Sequence, residues 1–249
     1  MTTISVIIPI RDRSGQRLEN CLRSLRWQQG VSAESIEVVL SDFGSSQLHR
    51  DSIEELAQRY GARLHCEQTD ALWNRSRALN LGIQKATGQL CFCTDADMIF
   101  SPGFVAALLQ KQAKQPHQIM TLSRCHDLPQ SAPQQLMELE DFESLSAMAE
   151  LRQTTGTGAC QVADRAFFFS VRGYDEAFEY WGAEDDDMLS RARRFGLEPV
   201  YLDDGPVMLH QWHPTMKNDR PLRRKLNTWR LRLTRHRVVK NRKGWGHLV

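Results

Sequence analysis

Apolar positions along the chain fall first into short, unbroken runs and then into helical stripes. The run "ISVIIPI" at residues 4–10 is β-branched with no polar alternation, the pattern of a strand buried on both faces. After the polar exit "RDRSGQ", Leu18, Cys21, Leu22 and Leu25 mark one face of a helix that runs to Gly30. "IEVVLSDFGSS" repeats the strand with a polar exit, and a helix over 51–60 and a short strand "ARLHCE" follow. "NRSRALNLGIQKATG" then reads as a helix stopped by Gly88, and "QLCFCTDADMIF" as the next strand. Beyond it the pattern predicts a helix started by Pro102 and a long helical stretch around 133–151. A Gly-rich turn "TTGTGAC", a strand "EPVYL" and the segment "PVMLHQWHP" follow. Alternation of this kind predicts an α/β fold with a mostly parallel sheet covered by helices on both sides. Such sheets carry their chemistry at the carboxyl ends of the strands, and the polar clusters "PIRDR", "SDFGSS" and "TDAD" all fall there.

One stretch breaks the pattern with charge. Glu184, Asp185, Asp186 and Asp187 are consecutive, and Met188, Leu189, Ala192 and Phe195 then continue as a helical stripe to Gly196. Unpaired backbone N–H groups and the helix dipole favour acids in a first turn, so the run predicts a helix start.

Composition narrows the class. With 249 residues, 41% hydrophobic and 25% charged, the chain suits one domain with a large core. No apolar run approaches the roughly 18–20 residues of a membrane span, and "MTTISVIIPIRDR" lacks the basic start and cleavage site of a signal peptide. The chain is expected to stay where it is made. The six cysteines show neither zinc spacing nor the density of a disulfide scaffold, so reduced thiols and a cytoplasmic location are expected. The net charge of +2 conceals a division: residues 217–249 hold 12 Lys and Arg against one acid, leaving 20 basic and 29 acidic residues before them. That tail places Leu222, Leu226, Trp229, Leu233 and Val238 at near-helical spacing. It reads as a helix docked by one face, or as a peripheral contact with an anionic membrane or anionic acceptor. Nucleic acid is not expected, since no binding motif accompanies the charge.

Asp95 and Asp97 leave an apolar strand one residue apart, and a turn there would bring both onto one ligand. Oxygen ligands of this kind suit Mg²⁺ or Mn²⁺ bridging a carboxylate to a diphosphate. The segments "VIIPIRDR", "LWNRSRALNLGIQKATG", "TDADMI", "GYDEAFEYWGAEDDD" and "MLHQWH" follow one another in an order that resembles the GT-A fold glycosyltransferases of family 2. The later segments are similar to the catalytic half of the β-1,4-galactosyltransferases, with their "WGGEDDD" box. The resemblance covers residues 4–214 and implies a GT-A fold domain over 1–216, with a nucleotide-sugar half to about 101, an acceptor half after it, and a basic extension at 217–249.

The same resemblance implies roles. Pro9, Arg11, Arg13, Asp42, Arg75 and Asp95 would contact the nucleotide-sugar donor, and Asp97 with His210 would bind Mn²⁺ or Mg²⁺, His213 being a second candidate ligand. Trp181, Glu184 and Asp186 would meet the acceptor, and Asp185 would be the general base. Ala183 stands where a glycine is usual, which puts the backbone freedom of that turn in question. The implied activity is an inverting, metal-dependent transfer of a hexose-type sugar, from a UDP-sugar, to a hydroxyl of a glycan, glycolipid, peptide or small molecule. The alternatives are a nucleotidyltransferase, whose glycine-rich phosphate loop "PIRDRSGQ" does not resemble, and a non-catalytic nucleotide-sugar-binding module.

Overall fold

The computed structural model describes residues 3–135, 138–180, 182–214 and 220–246. In chain order the elements are β1 (Ile4–Ile10), α1 (Gln16–Arg26), β2 (Ile36–Phe43), α2 (Gln47–Tyr60), β3 (Arg63–Glu67), α3 (Arg75–Lys85) and β4 (Leu90–Cys93). The second half holds β5 (Met98–Phe100), α4 (Phe104–Lys114), β6 (Gln118–Thr121), β7 (His126–Asp127), α5 (Asp141–Met148), β8 (Glu150–Leu151), β9 (Gln161–Asp164) and α6 (Arg165–Val171). It ends with α7 (Glu184–Phe195), β10 (Glu198–Tyr201), β11 (Met208–His210) and α8 (Pro221–Thr234).

The main sheet has the order β10-β6-β9-β4-β1-β2-β3. β1 is parallel to β2 and β4, β2 to β3 and β6 to β10, while β9 runs antiparallel between β4 and β6. The apolar run of β1 explains its central place, because its side chains feed two cores in alternation. Ile4, Val6, Ile8 and Ile10 pack with α1, α2 and α4, and Ile7 packs with α3, α6 and α7 on the other face. A smaller sheet, β5-β11-β7-β8, covers a third cluster that includes Ile99, Phe142, Leu145 and Leu209.

Two expectations need correction. "QLCFCTDADMIF" is not one strand, because β4 belongs to the main sheet and β5 to the small one. The ladder ends at Thr94, whose N–H donates to the Ile7 carbonyl at 3.1 Å while its hydroxyl donates to Ala159 O at 2.8 Å. Residues 94–97 then form the turn that the two carboxylates require. Nor is the stretch 133–151 one long helix: its described part holds only α5, started by the Asp141 carboxylate accepting from the Glu138 N–H, and β8 after it pairs with β7. Only Phe142 and Leu145 of α5 are buried, too little apolar surface to extend it. Smaller shifts occur at the ends: α1 stops at Arg26, α2 begins at Gln47 and α3 stops at Lys85.

Residues 220–246 fold back onto the body. α8 docks by its polar face: Asn227 donates to the Glu179 carbonyl, Arg223 pairs with Glu179 and Arg230 with Asp175. Lys240 is buried between Asp175 (3.1 Å) and Asp187 (3.3 Å), and Val238 and Trp245 cover the second core.

Candidate active site

The turn after β4, the exit of β11 and the starts of α3 and α7 supply the residues that come together. Among the described residues, Asp97, His210 and His213 offer ligand atoms that all lie within 4.8 Å of one another. The turn after β4 carries Asp97, and its carbonyl accepts from the Gln211 N–H at 2.9 Å, tying it to the exit of β11. His213 Nε2 lies 3.1 Å from Asp97 Oδ2 and His210 Nε2 lies 4.0 Å from Asp97 Oδ1. Their other nitrogens face away: His210 Nδ1 is 3.0 Å from Asp127 Oδ1, and His213 Nδ1 is 2.9 Å from the Pro214 carbonyl. A ring whose proton sits on Nδ1 carries its lone pair on Nε2, so in that tautomer each ring would present a ligand atom on the Asp97 side. The structure thus brings together both histidines, where the sequence left a choice between them.

Electrostatics couple the same groups when His213 carries a proton on Nε2 and donates to Asp97. Burial works to raise the Asp97 carboxyl, but the hydrogen bond from His213 and the nearby His210 bring it down to about 2. The His213 hydrogen bond to Asp97 raises the imidazole in turn. Asp127, which also pairs with Arg152, has its carboxyl lowered well below the usual range, burial being outweighed by hydrogen bonds from His210 and Arg152.

Arg75 opens α3 beside this cluster. Asn74 caps the helix by accepting from the Arg77 N–H at 3.0 Å. From that fixed start the Arg75 guanidinium donates to Asp95 Oδ1 (2.8 Å) and to the Gly158 carbonyl (2.8 Å), and its Nη1 lies 3.7 Å from Glu184 Oε1. Buried Nη1 makes no hydrogen bond and faces Glu184. Burial works to lower the Arg75 guanidinium, but Asp95 and Glu184 raise it further, so it stays charged. Asp95 shows the opposite balance, raised by burial although Arg75 holds it down.

The four consecutive acids open α7, as the charge pattern predicts. Asp185 is half-buried, and its Oδ2 accepts from the Thr157 hydroxyl at 3.0 Å while its carbonyl accepts from Gln161. Gly158 packs closely there, since a Cβ at that position would stand 3.0 Å from Asp185 Oδ2 and press on that carboxylate. Glu184 is buried and Asp186 is exposed. Trp181 lies outside the described residues.

The first-strand candidates are placed unevenly. Arg11 donates to the Ala71 carbonyl at 2.6 Å, and Arg13 is partly exposed near Asp97, where its charge helps to lower that carboxyl. Pro9 is buried within β1, opposite Ser41. Asp42 is 1% exposed, with Oδ1 accepting from the Ser45 N–H and hydroxyl, so in this structure it caps the turn after β2 rather than opening to a ligand. Sequence reading missed Asp127, Thr157 and Gln161. The first sits on a two-residue strand too short to show a period, and Thr157 lies within, and Gln161 just after, the Gly-rich turn whose role was unassigned.

The sequence model of glycosyl transferase family 2 matches residues 5–176, and a model described as the N-terminal domain of galactosyltransferase matches 143–211. The chain belongs to glycosyl transferase family 2. A validoxylamine A glucosyltransferase of Streptomyces hygroscopicus subsp. jinggangensis is 26% identical over 225 residues, covering 78% of this chain and 52% of that protein. Solved structures share the GT-A fold. GalNAc-T7 with UDP, GalNAc and Mn²⁺ is 16% identical with a TM-score of 0.65, covering 86% of this chain and 44% of that one. The mannosyltransferase PcManGT from Pyrobaculum calidifontis, with GDP-Man and Mn²⁺, is 16% identical with a TM-score of 0.60, covering 93% and 60%. The chain spans about half the length of the curated relatives it matches.

Proposed function

We propose that this chain is an inverting, metal-dependent glycosyltransferase that moves a hexose-type sugar from a nucleotide-diphosphate donor, a UDP-sugar, to a hydroxyl acceptor. The observation that carries the reading is the convergence of Asp97, His210 and His213 beside the Arg75–Asp95 pair and the acidic start of α7. One carboxylate and two imidazoles fit Mn²⁺ better than Mg²⁺, which prefers an all-oxygen shell. A bound ion there would neutralise the departing diphosphate as a Lewis acid.

The chain's own residues do the rest. Arg75 supplies fixed positive charge near the donor diphosphate while Asp95, held by the same guanidinium, faces the ribose or sugar. Asp185, oriented by Thr157, takes the acceptor proton as the hydroxyl attacks from the face opposite the leaving group. Asp186, exposed on the first turn of α7, contacts the acceptor together with Trp181 and Glu184. The nucleotide-sugar half would end near residue 101.

The test is thermal unfolding of the full chain with UDP-, GDP- and dTDP-hexoses, with Mn²⁺ or with chelator. A UDP-sugar is expected to raise the midpoint by several degrees only when Mn²⁺ is present. Equal stabilisation in chelator would remove the metal from the account, and stabilisation without any release of nucleoside diphosphate would leave a binding module.

A further inference from the structure

Polar contacts fix the roll of α8, and the consequence is an apolar stripe turned outward. Leu222, Leu226, Trp229 and Leu233 recur at intervals of four, three and four residues, so they share one face of the helix. All four are exposed, between 52% and 74%. Asn227, by contrast, is buried against the Glu179 carbonyl, and Arg223 and Arg230 hold Glu179 and Asp175 on the same inner side. The helix is therefore anchored by hydrogen bonds and ion pairs while its apolar face is left uncovered by the described body.

Charge around that face has one sign. Lys225 and Arg232 are exposed along the far border of the stripe, and Arg235 and Arg237 are exposed beyond the helix end. No acid occurs from Arg220 to Gly246. Fourteen residues give a helix about 21 Å long, and no helix among the described residues is long and apolar enough to cross a membrane. A Leu and Trp stripe bordered by Lys and Arg matches a surface with an apolar interior under a layer of negative charge, where long basic side chains reach the headgroups.

We propose that the outward face of α8 is a docking surface for an anionic lipid bilayer, with the helix lying in the plane of the headgroups. The surface is independent of the sugar-transfer site, and its test does not require turnover.

The experiment is co-sedimentation of the full chain with phosphatidylcholine vesicles containing about one-third phosphatidylglycerol, against pure phosphatidylcholine vesicles. The chain is expected to bind the anionic vesicles at low salt, to bind the neutral ones far more weakly, and to release as salt screens the surface. The double variant Leu226→Ser/Trp229→Ser should weaken binding at least about tenfold, since two of the four apolar anchors are gone. Lys225→Glu/Arg232→Glu should weaken it by a similar factor of about ten with the stripe intact. These side chains are exposed, so the variants should unfold at the parental temperature, and the charge pair carries the test if the apolar pair does not. Absence of binding to anionic vesicles at low salt, or binding unchanged in both variants, overturns the proposal. A dimer seen by light scattering that Leu226→Ser/Trp229→Ser dissolves, in a parent that binds no vesicles, would assign the face to a second copy instead.

Discussion

Four adjacent acids are tolerated because successive helical positions turn by about 100° and so meet different surroundings. Glu184 turns inward toward Arg75, Asp185 toward the Thr157 hydroxyl, Asp186 to solvent, and Asp187 into the second core beside Arg191 and Lys240. Burial, reinforced by the charge of Asp185, raises the Glu184 carboxyl to about 7 against the pull of Arg75. In the unfolded chain the same group ionises near its ordinary 4.5. Between those values the folded state holds a proton that the unfolded state has lost, so this group's contribution to stability falls as pH rises through the window and stays low above it. Glutamine mimics the protonated carboxyl and cannot ionise. Glu184→Gln should therefore gain in unfolding midpoint relative to the parent, and the gain should be larger at about pH 8 than at about pH 5. Thermal unfolding of both proteins across that range checks it; a gain that shrinks with rising pH would show that the Glu184 carboxylate is stabilised by Arg75 rather than penalised by burial.

At the scale of elements, the turn into α7 shows what a single residue type costs. Tyr180, Gly182 and Ala183 all have positive φ, at 71°, 93° and 78°, and only the glycine adopts such a conformation freely. Ala183→Gly should relieve the left-handed strain and raise stability by about 0.5–1 kcal/mol, the gain being partly offset by the flexibility of glycine in the unfolded chain. Urea unfolding measures this, and a loss of stability would mean that the Ala183 methyl makes a compensating contact. Some elements were legible beforehand for a physical reason. β1 and the centre of β2, residues 38–40, are apolar because both faces of the sheet are covered, and α7 announces itself by acids at its start and Gly196 at its end. The failures share a different cause: β4 and β5 look continuous because both are fully buried, and only the break at Thr94 separates the sheets they serve. Periodicity also carried too far across 133–151, where two buried apolar residues sustain just eight helical positions.

Considered as a whole, the molecule brings together residues from widely separated parts of the chain. Asp97, His210, His213 and Asp127 come from three segments that meet only because β11 pairs with both β5 and β7. The sequence could offer the carboxylate and both histidines as candidates, yet choosing between the rings needed the direction of each Nε2, which pairing and hydrogen bonds determine. Asp127 carried no signal at all in a two-residue strand. Likewise the tail's stripe was visible, but its outward roll follows from Asn227 and Arg230, which periodicity does not weigh. The site residues among these serve one claim, that a nucleotide sugar is bound through a metal held by Asp97 and is opened with Asp185 as base. The direct measurement is the rate of nucleoside diphosphate release at saturating UDP-sugar and Mn²⁺, in the parent, Asp97→Ala and Asp185→Asn, with donor binding measured in parallel. The parent should release product only with Mn²⁺, Asp97→Ala should lose both Mn²⁺-dependent binding and release, and Asp185→Asn should bind donor normally while its rate falls by about 10²–10⁴-fold. Release by Asp97→Ala at the parental rate, or an Asp185→Asn variant that keeps more than about a tenth of that rate, would contradict the account.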